Sequence, residues 1–127
     1  MDKIIKKDVL EKIITYAFIM AAIDGDLDPK EVEIIENFTD DHWNDEWGDS
    51  EDFLNKLDKE VVEFFLPKPG RTGIEAFQKD FMNKYQDKLD NEHQIILIEL
   101  MEKVMMADGV MDEDEITLLN LIKSTDN

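Results

Sequence analysis

A chain of 127 residues, 43% of them apolar, has the material for one domain with a substantial core, because folding at that length buries about two thirds of the surface the unfolded chain exposes. Its 32 acidic residues against 14 basic ones leave a formal net charge of -18, which disfavours nucleic acid and anionic membrane surfaces and favours cations or basic protein partners. Cysteine is absent, so disulfides and thiolate metal sites are excluded.

The N-terminal stretch places lysines ahead of an apolar run, but Asp8, Glu11 and Lys12 interrupt the approach and only Ile13 to Ile23 is continuous. That run is too short to span a bilayer and has no separate small-residue cleavage site, so a soluble, cytoplasmic protein without membrane insertion is expected. Apolar residues then recur at helical spacing along nearly the whole chain, as in Val9, Ile13, Tyr16, Ala17 and Met20, and alternation of period two is sustained nowhere. The fold class read from this pattern is all-α, a compact single-domain bundle of six to seven helices covering residues 1–127. The predicted helices, in order, are 9–23, 29–46, 51–66, 73–88, 91–107 and 113–123. Four acidic or hydroxyl residues followed three positions later by Glu read as capping boxes: Asp8 with Glu11, Asp28 with Glu31, Thr72 with Glu75, and Asp112 with Glu115. Ser50 and Asp90 are the expected N-caps of the third and fifth helices. The segment "PKPGRTG", Pro67 to Gly73, cannot continue a helix and reads as a loop inside one domain.

An internal repeat appears when Met20–Phe38 is laid on Val104–Ile122, without a gap and at a constant offset of 84 residues. Asp24 falls on Asp108, Gly25 on Gly109, Asp28 on Asp112 and Glu31 on Glu115, and apolar positions coincide as well, Met20 with Val104 and Ile35 with Leu119 among them. Both copies read as an apolar helix, a D-G-x-x-D-x-x-E turn and a second apolar helix, which predicts two hairpins in a pseudo-twofold arrangement. Most of the turn has a structural explanation. Gly25 and Gly109 suit a left-handed helix end, Asp28 and Asp112 suit N-caps, Pro29 suits the first helical position, and each cap is worth about 1 kcal/mol.

Asp24 and Asp108 fit less easily, because each stands at the C-terminal end of a predicted helix, where the dipole disfavours an anion by roughly 0.3–1 kcal/mol. Either the carboxylate reaches the free N–H groups of the next helix or it holds a cation. Two such turns brought together would concentrate Asp24, Asp28, Glu31, Asp108, Asp112 and Glu115, and oxygen-only ligands favour calcium or magnesium ahead of zinc. An EF-hand is excluded. With Asp24, Asp26 and Asp28 at its first, third and fifth loop positions, the sixth would be Pro29 in place of glycine and the twelfth Ile35 in place of glutamate.

The stretches "MAAIDGDLDPKEVEII" and "VMMADGVMDEDEITLL" resemble the A-D-G-x-I-x-x-x-E signature of TerB-like domains, found in tellurite-resistance TerB proteins and other bacterial proteins. The resemblance is carried by Asp24–Glu31 and Ala107–Glu115 and covers the two flanking hairpins. It implies a compact all-helical fold with internal pseudo-twofold symmetry and an acidic cluster at the D-G turns regarded as a divalent-cation site. Ile23 replaces the usual alanine of the first copy, and "TDDHWNDEWGDSED" is peculiar to this chain.

That segment holds seven acidic residues between Asp40 and Asp52 together with both tryptophans. Continued as helix, it would place Phe38, His42, Trp43 and Trp47 on one stripe, either covering the core or, with Asp45 and Glu46, docking a basic protein. His42 beside Asp41 or Asp45 is a weaker metal-ligand reading, and His93 reads as a surface residue. Catalysis finds little support: there is no G-x-S-x-G, no phosphate-binding glycine loop and no H-E-x-x-H, and acid pairs carry little information in so acidic a chain. Met101, Met105 and Met106 read as core or interface filler. The expectation is therefore a non-enzymatic acidic domain of stress-resistance type, its site at the two turns. The alternative is a small inhibitor or immunity-type protein that covers a basic partner through Trp43, Asp45, Glu46 and Trp47.

Overall fold

The computed structural model describes residues 5–23, 28–65, 67, 71–77, 79, 91–107, 109 and 113–124. Asp24, Gly25, Asp90, Asp108 and Asp112 lie outside the described residues, as does the part of the expected fourth helix beyond Phe77 that would reach residue 88. The described secondary structure is helical: α1 (Lys7–Ala22), α2 (Pro29–His42), a 3-10 turn (Asp45–Trp47), α3 (Ser50–Phe65), α4 (Arg71–Phe77), α5 (Asn91–Met105) and α6 (Glu113–Ser124). The all-α class read from the periodicity is correct, and no strand occurs among the described residues. No helix among them is long and apolar enough to cross a membrane.

Helix α1 organises the packing. Apolar residues surround it on every side along its C-terminal half, and a helix of that kind has to be covered all round. Every residue from Tyr16 to Ile23 is buried accordingly, with α2, α3, α5 and α6 packed against α1 and α5 making the most extensive contact. Helix α3 contributes one stripe, Leu54, Leu57, Val61 and Phe65, and α5 contributes Leu97, Leu100, Met101, Val104 and Met105. Helix α4 brings Ile74 and Phe77 to the core, where the Phe77 ring meets Tyr16 of α1 edge-on at 5.5 Å. A buried amide ties the last pair together: Gln94 Nε2 donates to the carbonyl of Ile122 at 2.9 Å, fixing the start of α5 against the end of α6.

Several helix ends differ from the expected ones. α1 begins at Lys7 behind Lys6, which gives no side-chain cap, so Asp8 lies within the first turn, accepting from the N–H of Val9 at 3.0 Å, and does not cap the helix. The cap of α3 is Asp49, whose Oδ1 accepts from Glu51 N at 3.0 Å, and Ser50 is the first helical residue. α4 starts at Arg71, which puts Thr72 inside the helix. Of the three methionines expected as core or interface filler, Met101 and Met105 lie in the core and Met106 is 56% exposed.

Replacing a fully buried side chain of α1 removes contacts on all sides, so Ile14→Ala is expected to lower unfolding free energy by about 2–5 kcal/mol. Ile95→Ala, at a position 54% exposed, should change it by less than about 0.5 kcal/mol, both measured by denaturant titration.

Candidate functional site

The first turn leaves α1 through Ile23, which keeps right-handed helical dihedrals (φ -66°, ψ -27°), and re-enters at Asp28, which is extended (φ -68°, ψ 129°). Asp28 is the N-cap of α2 as predicted. Its Oδ1 accepts from Lys30 N at 2.8 Å, its carbonyl accepts from Glu31 N at 3.0 Å and Val32 N at 3.1 Å, and Pro29 occupies the first helical position, where no N–H is needed. The second turn leaves α5 through a tightening last turn, with Ala107 N donating to Val104 O at 3.2 Å and Gly109 N to Met106 O at 3.1 Å. Gly109 has φ 78°, the left-handed conformation its place after the helix demands. Helix α6 then starts at Glu113.

Glu31 is the third residue of α2 and Glu115 the third of α6. Both are 2% exposed, and among the described residues they are the two buried acidic side chains. Each is engaged by other groups of the protein. Burying a carboxylate is costly without compensation, because the charge loses its water, and the groups that engage Glu31 and Glu115 offset that cost. The capping-box pattern located both residues, but it implied only a reach back toward the N-cap; that they sink into the core was not legible from the spacing. Corresponding positions elsewhere agree in part: Met20 and Val104 are both fully buried and Ile35 and Leu119 both lie in the core, whereas Phe38 is half-buried where Ile122 is buried. Asp24, Asp108 and Asp112 lie outside the described residues, and among the described ones no three His, Asp or Glu side chains gather closely enough to hold a metal ion.

The acidic aromatic segment folds differently from the expected helical stripe. α2 stops at His42, where Trp43 turns extended (ψ 135°) and its N–H closes the last turn on Thr39 O at 2.8 Å. Continuing the helix would separate Trp43 from its tertiary partners. Its indole lies on Phe53 of α3 with centroids 5.2 Å apart and 22° between planes, meets Trp47 edge-on at 5.3 Å, and donates through Nε1 to Gly48 O at 3.0 Å. Gly48 permits this return with φ 105°, and Asn44 Oδ1 caps the 3-10 turn by accepting from Glu46 N at 2.9 Å. Trp43 and Trp47 end half-buried, while Asp45 and Glu46 face solvent beside them. The His42 ring packs on Phe38 with centroids 4.5 Å apart, in keeping with an aromatic contact.

These features define an all-helical acidic domain built on two helix-turn-helix joints, each entering its second helix beside a buried glutamate. The family model for tellurite resistance protein TerB matches residues 10–125, nearly the whole chain, and the protein belongs to that family. Comparison with curated proteins and with solved structures gives no match.

Because Oδ1 of Asp28 caps the N-terminus of α2, Asp28→Ala should cost about 1 kcal/mol of stability, while Asp28→Asn, which retains the acceptor oxygen, should stay within a few tenths, as read by thermal unfolding without added metal.

Proposed function

We infer that the chain is a non-enzymatic cytoplasmic binding domain in which the two D-G-x-x-D-x-x-E turns act as one acidic site for a divalent cation. The residues that would hold the ion are Asp24, Asp28 and Glu31 from the first joint and Asp108, Asp112 and Glu115 from the second. Their all-oxygen chemistry suits calcium or magnesium before zinc. The observation that carries this reading is the matched burial of Glu31 and Glu115, each 2% exposed at the third position of its helix. Two buried carboxylates on separate helices, each already engaged by groups of the protein, would be stabilised further by a nearby positive charge. The packing of α1 on α5, the helices that lead into the two turns, supports bringing the joints together in a pseudo-twofold arrangement. Bound there, a cation would neutralise carboxylates and fasten one hairpin to the other, so its chemistry is structural and regulatory. The tellurite resistance named in the family description belongs to this same reading, as does the bacterial stress-response setting expected from the resemblance.

A second reading, favoured by the solvent-facing Asp45 and Glu46 beside the half-buried Trp43 and Trp47, is a small acidic inhibitor or immunity-type protein that covers a basic protein partner.

A cation that binds only the folded chain stabilises it by about 2.7 kcal/mol at a hundredfold excess over its Kd. Calcium or magnesium should therefore raise the Tm of the wild type by several degrees and leave Asp24→Asn/Asp108→Asn unmoved. No shift with calcium, magnesium or zinc, or an equal shift in the double variant, would contradict the reading.

A further inference from the structure

Helices α1 and α3 leave an open groove along one side of their contact. It consists of two adjoining hollows, of about 360 and 290 Å³, that share Glu11, Phe53 and Lys56. One hollow reaches Thr15 of α1 and Glu60 and Val61 of α3, and the other reaches Lys7 together with Asp49 and Asp52, so the groove follows both helices in the same sense. From Asp49 to Val61 a helix rises about 18 Å, the length of roughly three turns. The floor is apolar and built from Phe53, Leu57 and Val61, and the end near Lys7 is closed by Trp43 and Trp47. Trp43 is held there by its stack on Phe53 and its hydrogen bond to Gly48, which makes the aromatic end a preformed wall.

We propose that this groove docks an amphipathic helix of a partner protein, with large apolar residues along one face and lysine or arginine along its edges. The shape fits a helix laid between two helices, read by anchors at i, i+3, i+4 and i+7. Charge selects the sign of the partner. Glu11, Asp49, Asp52 and Glu60 outnumber Lys7 and Lys56 on the rim, the exposed Asp45, Glu46 and Glu51 adjoin it, and the whole chain carries -18. Such a field steers basic segments toward the groove, and the apolar floor then decides which of them stay. Lys7 and Lys56 make the rim mixed, so an acidic residue of the partner helix at one edge is accommodated. The proposal rests on the partner-binding reading and is independent of the cation site.

The chain has two tryptophans and both border the groove, so their emission reports occupancy without a label. The probe is a tryptophan-free leucine-lysine peptide of about 16 residues with a helical apolar stripe, titrated into the full chain at physiological salt with EDTA present. The comparison is a peptide of the same composition in which the stripe is scrambled. The striped peptide should change the emission saturably and bind roughly tenfold more tightly than the scrambled one. Asp52→Lys/Glu60→Lys, at exposed rim positions, should weaken it roughly tenfold, and Glu99→Lys/Glu102→Lys, the same charge change on the exposed face of α5, should act within about twofold of wild type. Equal binding of the two peptides, or equal weakening by the two double variants, would show attraction by overall charge only and overturn the proposal. Sedimentation that shows a dimer dissolved by Asp52→Lys/Glu60→Lys would overturn it as well, by making a second copy the occupant. Asp24→Asn/Asp108→Asn should bind the striped peptide as wild type does, so failure of the cation site and failure of the groove are told apart.

Discussion

Everything in this fold depends on covering one helix. From Tyr16 to Ile23, α1 offers no residue to water, and four other helices are arranged to achieve that. A fully enclosed helix cannot itself present a polar site, so chemistry is displaced to its two ends. The C-terminal end runs directly into Asp24 and the first D-G turn, and the N-terminal half, where Lys7, Glu11 and Thr15 still face outward, forms one wall of the α1–α3 groove. Both proposed sites thus lie where that burial ends. The charge of -18 sharpens the division, because acidic side chains excluded from the core must crowd the turns and rims.

Among the described residues, Glu31 and Glu115 are the exceptions to that exclusion. A glutamate at the third helical position normally adds a few tenths to about 1 kcal/mol by lying near the positive end of the helix dipole, and it does so from the surface. Sinking it to 2% exposure gives up hydration for no gain that a surface position lacks, unless other groups compensate. It happens on two helices, at matching positions of the sequence repeat, and in both the glutamate is engaged by other groups of the protein.

The sequence was most legible where local physics decides the outcome. The Asp28-Pro29 start of α2, the left-handed Gly109 and the buried run of α1 all follow from capping, backbone freedom and periodicity within a few residues. It misled where distant residues decide. The spacing of Trp43 from Phe38 suits a continuing helix, but Phe53, ten positions on and in another helix, offers a stacking partner, and α2 ends at His42. The same return of the chain lets Asp49 displace Ser50 as the cap of α3, a choice between two good caps that composition alone does not rank. Burial of the two glutamates and the groove were not legible at all. The first depends on what packs over a turn, and the second joins α1 to residues more than thirty positions away.

The central claim is that the two joints form one cation site, and the five glycines of the chain provide the direct readout. Glycine amides fall in a sparse region of a ¹H–¹⁵N correlation spectrum, and Gly25 and Gly109 sit in the two turns while Gly48 sits apart in the tryptophan turn. On titration with calcium or magnesium, the account predicts that Gly25 and Gly109 shift together along one binding curve and that Gly48 stays in place. Turn glycines that do not move, or that move along two separate curves, would contradict it.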